Sequence, residues 1–253
     1  MNRNILITAG AGGIGLEIAK AFAEIGDRVY VCDIDKTALE NLKQTIPNVE
    51  TGLCDVSDRQ SVERMVLHCA ERLRGIDVLV NNAGIAGPTA PVEDMEPEAW
   101  EKVMQVDLNG TFNVTRCSIP HLKKSKAGVI LTMSSLAGRF GYENRSPYAT
   151  AKWGLIGFAK TLALELGKYN IRSNAILPGA VAGPRIQNVL QARAEANNTS
   201  LEQEKENAMS IQSIKNFVDP KDIAALAIFL ASDSAKMISG QIFPIDGDAK
   251  SAS

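Results

Sequence analysis

The sequence predicts a single α/β domain over residues 1–253, with a doubly wound, mostly parallel sheet of seven strands flanked by helices. Short apolar runs bounded by polar residues alternate along the chain with stretches whose apolar residues recur at helical spacing, which is typical of this class. Polar or glycine-rich clusters follow most of the runs. In such sheets, ligands bind at the carboxyl ends of the strands.

The apolar runs suit strands that are buried on both faces, as in a parallel sheet. The predicted strands cover 5–7, 28–32, 49–54, 76–80, 129–133, 171–177 and 241–245. Helices are predicted over 61–73, 148–169 and 220–230, and from about Glu98 until Pro120 ends or kinks the helix.

Composition argues against several classes of partner. Of the 253 residues, 45% are hydrophobic and 22% are charged, and the net charge is −2. The chain therefore lacks the excess of positive charge that is typical of proteins that bind nucleic acid or an acidic membrane. The four cysteines form no CxxC pair and no metal-ligand spacing. With no leader and no apolar stretch of about 18 residues, we expect a metal-free cytoplasmic protein.

A glycine-rich loop follows the first strand. Gly10-x-Gly12-x-x-Gly15 stands between that strand and a helical pattern. Glycines there let the backbone approach a pyrophosphate at the positive end of the helix. This setting predicts dinucleotide binding.

The coenzyme prediction depends on Asp33, which ends the second strand 18 positions after Gly15. An acid near this position binds ribose hydroxyls and repels a 2′-phosphate, which favours NAD over NADP. Asp35 is an alternative acid or the N-cap of the next helix. Asp55 either caps a helix or hydrogen-bonds an adenine amino group.

Tyr148 and Lys152 fall one above the other if a helix begins near Pro147. An ammonium lowers the pKa of a nearby phenol from about 10 and makes it a usable proton acceptor or donor. Ser135, at a strand end, can then hold a substrate oxygen. The alternative is that Tyr148 and Lys152 are ordinary neighbours on an amphipathic helix, without a catalytic role.

The polar, helix-prone segment 183–216 is too long for a simple connection. It is predicted to be a substrate lid, with a solvated insertion as the alternative. Arg185 at its start either binds an anionic substrate or is an ordinary surface arginine.

In combination, the chain resembles the short-chain dehydrogenase/reductase family along nearly its whole length. The matching motifs are 8–15, Asp55-Val56, 81–84, Ser135, Tyr148-x-x-x-Lys152 and Pro178-Gly179. The resemblance implies a Rossmann fold, an NAD(P)-dependent oxidoreductase acting on an alcohol or carbonyl, and a homotetramer assembled through the helix 148–169 and the one before it.

The resemblance also implies roles. Tyr148 would be the general acid/base, Ser135 would orient the substrate oxygen, and Lys152 would bind nicotinamide ribose and depress the tyrosine pKa. The implied cofactor-binding set is Gly12, Gly13, Ile14, Gly15, Asp33, Asp55, Val56, Asn82, Tyr148, Lys152 and Val181.

Three positions depart from the family pattern. Ala9 replaces a common glycine, which is tolerable if the backbone there is not left-handed and Gly10 takes up the turn. Asp107 replaces the catalytic asparagine and, when ionised, can only accept hydrogen bonds. We expect Asp107 to support the proton relay still, and Asn109 not to replace it. Gly183 stands where a threonine near the nicotinamide is usual.

The sequence therefore predicts an NAD-dependent dehydrogenase of a secondary alcohol, polyol or sugar hydroxyl. One alternative is a 3-oxoacyl thioester reductase, which would more often use NADP and a basic residue near the glycine loop. Another is a catalytically weak NAD-binding sensor or assembly protein, which Asp107 motivates.

Overall fold

A computed structural model describes residues 2–252 and contains a seven-stranded sheet in which all neighbouring strands run parallel. The strand order is β3-β2-β1-β4-β5-β6-β7, so the chain reverses direction across the sheet between β1 and β4. The strands are β1 (Asn4–Thr8), β2 (Arg28–Asp33), β3 (Glu50–Leu53), β4 (Val78–Asn81), β5 (Val129–Met133), β6 (Arg172–Pro178) and β7 (Ile242–Ile245).

Helices cover both faces of the sheet. They are α1 (Gly13–Glu24), α2 (Lys36–Thr45), α3 (Arg59–Leu73), α4 (Pro97–Val103), α5 (Gly110–Leu122), α6 (Ser146–Leu166), α7 (Pro184–Asn197), α8 (Leu201–Ser210) and α9 (Pro220–Ala231). One core packs α1, α2 and α9 against the sheet, and the other packs α3, α5 and α6. Burial on both faces explains why the central strands β1, β4 and β5 are mostly apolar, whereas the edge strand β3 is not buried.

The predicted fold class is confirmed, and each predicted strand lies within two residues of its observed bounds. Of the two alternatives predicted for the helix from 98, that Pro120 ends it is wrong. The helix runs from α4 through a π-helical turn, Met104–Asn109, into α5, and Pro120 lies inside α5 two residues before its end.

The segment 183–216 holds α7 and α8. No helix in the described range 2–252 is long and apolar enough to cross a membrane.

Candidate active site

A cavity of about 400 Å³ opens at the carboxyl ends of the strands, beside the point where the strand order reverses. This is where doubly wound sheets bind ligands. The sequence-predicted residues that line it are Gly12, Gly13, Ile14, Asp33, Asn82, Ser135, Tyr148, Lys152 and Val181. Gly15, Asp55, Val56 and Asp107 lie outside this lining.

Ser135, Tyr148 and Lys152 meet in the cavity. Ser135 follows β5, accepts the Ala137 N–H at 3.2 Å, and lies close enough to Tyr148 to lower the pKa of that phenol. Lys152 is buried, and its Nζ lies 5.4 Å from the centre of the Tyr148 ring and donates to the Met133 carbonyl at 3.3 Å. The predicted spacing of four residues on α6 thus places the lysine charge beside the phenol.

The pKa of Tyr148 lies below its ordinary value. Burial by itself raises this pKa, but the positive charges of Lys152 and Arg185 and the hydrogen bond to Ser135 lower it by more. The negative charge of Asp107 acts in the opposite direction. A phenol with a lowered pKa exchanges a proton more readily near neutral pH.

Asp107 lies behind the cavity in the π-helical turn, where its side chain is fully buried. Its Oδ1 accepts the Ile85 N–H at 2.7 Å, and its Oδ2 lies 3.3 Å from Lys152 Nζ. Asn109 is exposed and donates to Gln105, away from the lysine. Asp107 therefore contacts Lys152, and Asn109 does not replace it.

The start of α1 suits a phosphate. Gly12 precedes the helix without a side-chain cap, and no acidic residue stands in the first turn. A Cβ on Gly12 or Gly13 would meet no protein atom within 4 Å, and Gly13 has a positive φ of 52°. Free N–H groups therefore face open space at the positive end of the helix dipole.

The left-handed turn in this loop falls at Ala9, which has a φ of 48°. The expectation that Gly10 takes up the turn is therefore wrong, and Ala9 carries the strain of a left-handed non-glycine residue. Gly10 instead packs tightly, since a Cβ there would lie 2.9 Å from a Val31 methyl. Gly15 packs against the Ala9 carbonyl oxygen and the Asn82 amide.

Asp33 is held at the rim of the cavity by two backbone donors. Its Oδ2 accepts the Ala11 N–H and its Oδ1 the Asp35 N–H, each at 3.1 Å. Asp35 accepts the Ala38 N–H and is the N-cap of α2, so of its two predicted roles the cap is observed.

Asp55 does not cap α3, because Asp58 fills that position. Asp55 Oδ1 accepts the N–H and the hydroxyl of Ser57, at 2.9 and 2.6 Å, and the hydroxyl bond in particular lowers the pKa of the Asp55 carboxyl. Val56 is buried against Gly110.

Asn82 and Val181 support the cavity wall. The Asn82 amide donates to the Thr8 and Ala9 carbonyls at 3.1 and 2.9 Å and so ties β4 to the glycine loop. Val181 forms a parallel bridge with Val218.

The segment 183–216 borders the cavity through residues of α7, α8 and the turn after α8. These are Gly183, Pro184, Arg185, Ile186, Val189, Ala208, Ile211 and Gln212. Sequence reasoning missed three side chains near the cavity, Tyr142, Arg145 and Arg193, because they lie on a loop and a helix that meet only in the fold. Across residues 2–252, no group of three or more His, Cys, Asp or Glu side chains is placed to hold a metal ion.

Comparison with known proteins agrees with this geometry. Residues 9–248 match the family described as enoyl-(acyl carrier protein) reductase. The chain is 35% identical to D-beta-hydroxybutyrate dehydrogenase of Cupriavidus necator, over 97% of this chain and 96% of that protein. It is 36% identical to a 3-oxoacyl-[acyl-carrier-protein] reductase of Thermotoga maritima, over 96% of this chain and 95% of that protein.

The structure also superposes on solved structures. For NAD+-bound xylitol dehydrogenase the TM-score is 0.94 with 27% identity, and the match covers 97% of this chain and 98% of the other.

Proposed function

The chain belongs to the short-chain dehydrogenase/reductase family, oxidoreductases that act on alcohols and ketones, and we propose that it is an NAD-dependent dehydrogenase of a secondary alcohol, polyol or sugar hydroxyl. The observation that carries the proposal is the placement of Ser135, Tyr148 and Lys152 in one cavity, with the pKa of Tyr148 lowered.

The proposed reaction moves one proton and one hydride. Ser135 holds the substrate oxygen, and the ionised Tyr148 phenol takes the hydroxyl proton as the carbonyl forms. Lys152 stabilises the phenolate, and Asp107 positions Lys152 through the 3.3 Å contact. A nicotinamide dinucleotide held by Gly12, Gly13 and Asp33 would supply the acceptor for the hydride of the substrate carbon. In the reverse direction Tyr148 returns the proton.

The chain's own residues fit a dinucleotide. The open helix start at Gly12 and Gly13 suits the pyrophosphate, and Asp33 suits the ribose hydroxyls. We assign the remaining contacts to Ile14, Gly15, Asp55, Val56, Asn82, Tyr148, Lys152 and Val181.

Asp33 also supports NAD over NADP, because its fixed carboxylate would repel a 2′-phosphate. The NAD+ of the similar xylitol dehydrogenase structure is consistent with this choice.

The segment 183–216 is proposed to be the substrate lid, since both of its helices border the cavity. We also propose a homotetramer formed through α6 and α5, where Trp153, Leu164 and Phe112 are exposed apolar side chains. The free cysteines support a reducing, cytoplasmic location.

A 3-oxoacyl thioester reductase is the second candidate, which the name of the Thermotoga maritima relative favours. Asp33 counts against this candidate, because such reductases more often use NADP and the Asp33 carboxylate would repel the 2′-phosphate of NADP. A weakly catalytic NAD-binding protein is a third, although Ser135, Tyr148 and Lys152 are all in place.

The test is formation of reduced nicotinamide, followed by its absorbance, with a panel of alcohols, polyols and sugars and with NAD or NADP. We expect turnover with NAD that falls about 10²–10⁴-fold in Tyr148→Phe, because general acid–base catalysis contributes about that much. Faster reduction of 3-oxoacyl thioesters with NADPH would favour the second candidate. Tight NADH binding without turnover would favour the third.

A further inference from the structure

Three arginines gather on the substrate side of the cavity, around Tyr142 and Tyr148. The guanidinium carbons of Arg145 and Arg193 lie 5.3 and 5.0 Å from the centre of the Tyr142 ring. Those of Arg145 and Arg185 lie 5.3 and 5.9 Å from the centre of the Tyr148 ring. We call Arg145, Arg185 and Arg193 the arginine cluster.

The arginine cluster has no carboxylate partner. Among the described residues, none of its members lies within 4.0 Å of a carboxylate oxygen. The buried carboxylate of Asp107 is already matched by Lys152. Arg145 and Arg193 are buried, and buried charges in proteins are normally paired, so the lack of a carboxylate beside them indicates a site for an anion.

Arg145 is the most deeply placed member that lines the cavity, with only 3% of the residue exposed. Its Nη2 donates to the Ala86 carbonyl, whereas its buried Nε has no partner in residues 2–252. A guanidinium carries five N–H donors. Burial lowers the pKa of Arg145, Tyr142 and Tyr148 raise it, and the charges of Arg193 and Arg185 lower it again. A bound anion would offset the cost of burial and the repulsion between the arginines.

Arg193 acts through Tyr142. It reaches from α7, is 8% exposed, and donates from Nη2 to the Tyr142 hydroxyl oxygen. Because that oxygen accepts, the hydroxyl proton of Tyr142 remains available, and Tyr142 lines the cavity edge-on to Tyr148 at 6.4 Å between ring centres. Arg193 is therefore a positioning residue for a hydroxyl donor that faces the substrate.

Arg185 completes the arrangement from the start of α7. One of its Nη atoms donates to the Gly84 carbonyl at 3.1 Å, and the side chain is exposed at the cavity. Guanidinium groups pair with carboxylates through two parallel hydrogen bonds. The guanidinium carbons of Arg145 and Arg185, the two arginines that line the cavity, lie within 6 Å of the Tyr148 ring centre. A substrate anion that binds them must therefore be only a few bonds from the reacting carbon.

We propose that the substrate is a short hydroxy acid or oxo acid, whose carboxylate binds between Arg145, Arg185 and the Tyr142 hydroxyl. This inference rests on the proposed dehydrogenase function and narrows its substrate class. The carboxylate fixes which hydroxyl faces Tyr148 and Ser135.

Matched acids and esters test the proposal. The kcat/KM with NAD is measured for 3-hydroxybutyrate and 4-hydroxycyclohexanecarboxylate and for their methyl esters. Calorimetric titration of the NADH-loaded protein measures binding of the same four compounds. We expect both measurements to favour the acids at least about tenfold over their esters.

Arg185→Gln should reduce the acid-to-ester ratio of kcat/KM at least about tenfold. The ratio cancels any change in the pKa of Tyr148, since Tyr148 acts on both compounds. Arg64→Gln removes the same charge from the exposed surface of α3 and should leave the ratio unchanged. Arg145→Lys, which keeps the charge but not the paired donors, should reduce the ratio less than Arg145→Gln.

Esters that equal or exceed their acids in turnover and in binding would overturn the carboxylate proposal while leaving the dehydrogenase function intact. A ratio that Arg185→Gln and Arg145→Gln leave unchanged would also overturn it. Tight, Arg185-dependent binding of the acids without any turnover would instead support the anion site and contradict the proposed function.

Discussion

The carboxylate of Asp107 and the ammonium of Lys152 lie 3.3 Å apart, and both side chains are almost completely buried. They are 45 residues apart in the sequence and come from the π-helical turn and α6. Removing one partner of a buried pair leaves the other charge uncompensated, which typically costs about 3–5 kcal/mol. The pair therefore affects both the stability of the fold and the charge beside Tyr148.

Asp107→Asn should move the pH profile of alcohol oxidation to lower pH. In the proposed mechanism oxidation needs the Tyr148 phenolate, so kcat/KM should rise as pH rises through the pKa of Tyr148. The negative charge of Asp107 raises that pKa, and its removal lowers it. The measurement is kcat/KM against pH. The exposed Asn109→Ala variant, from the same turn, should keep the wild-type profile.

Asp107→Ala, which also removes the acceptor of the Ile85 N–H, should lower the free energy of unfolding by about 3–5 kcal/mol in urea titrations. An Asp107→Ala variant with wild-type stability, rate and pH profile would show that the pair has no role.

Asp33→Ser should raise the ratio of kcat/KM for NADP to that for NAD by about tenfold or more, because the charge that repels a 2′-phosphate is gone. The control is Asp35→Ser, which removes a charge two residues away while serine still caps α2. Equal ratios in the two variants, or NADP preference in the wild type, would contradict the role assigned to Asp33.

Ala9→Gly should raise the free energy of unfolding by about 0.5–1 kcal/mol. A left-handed alanine costs about 1–2 kcal/mol, and the extra freedom of glycine in the unfolded chain offsets up to about 1 kcal/mol. Ala11→Gly, in the same loop but without a positive φ, should lower stability instead. A loss of stability in Ala9→Gly would mean that the strain at this position is already relieved.

Gly15→Ala should reduce the stability of the fold, whereas Gly12→Ala should reduce the affinity for NADH. A Cβ on Gly15 would overlap the Ala9 carbonyl oxygen and lie 2.7 Å from Asn82 Nδ2, so overpacking should cost about 1–3 kcal/mol of stability. A Cβ on Gly12 meets no protein atom, so the fold should stay intact while NADH affinity falls. Fluorescence titration of NADH and thermal unfolding of both variants measure the two effects. Similar losses of stability in both would contradict this division.

Part of this molecule follows from local sequence. The strands were predictable because residues buried on both faces of a parallel sheet must be apolar, as in β5, whose residues are all buried. Tyr148 and Lys152 were predictable as neighbours because four residues make about one helical turn. The glycine loop and Asp33 were found because a strand, a turn and a helix follow one another along the chain.

Other features exist only in the folded chain. The left-handed turn falls on Ala9 rather than Gly10. Gly10 instead leaves room for Val31 on the neighbouring strand, a contact that local spacing does not encode. Asp58 rather than Asp55 caps α3 because the helix begins at Arg59, and the Asp55 carboxylate instead binds Ser57. The arginine cluster forms where the loop before α6 meets α7. Arg145 and Arg193 are 48 residues apart in the sequence. The sequence alone thus determined the sheet, the glycine loop and the placement of Tyr148 beside Lys152, because contacts between near neighbours suffice for them. Only the tertiary structure decided which charges surround Tyr148, because that depends on side chains brought together from distant segments.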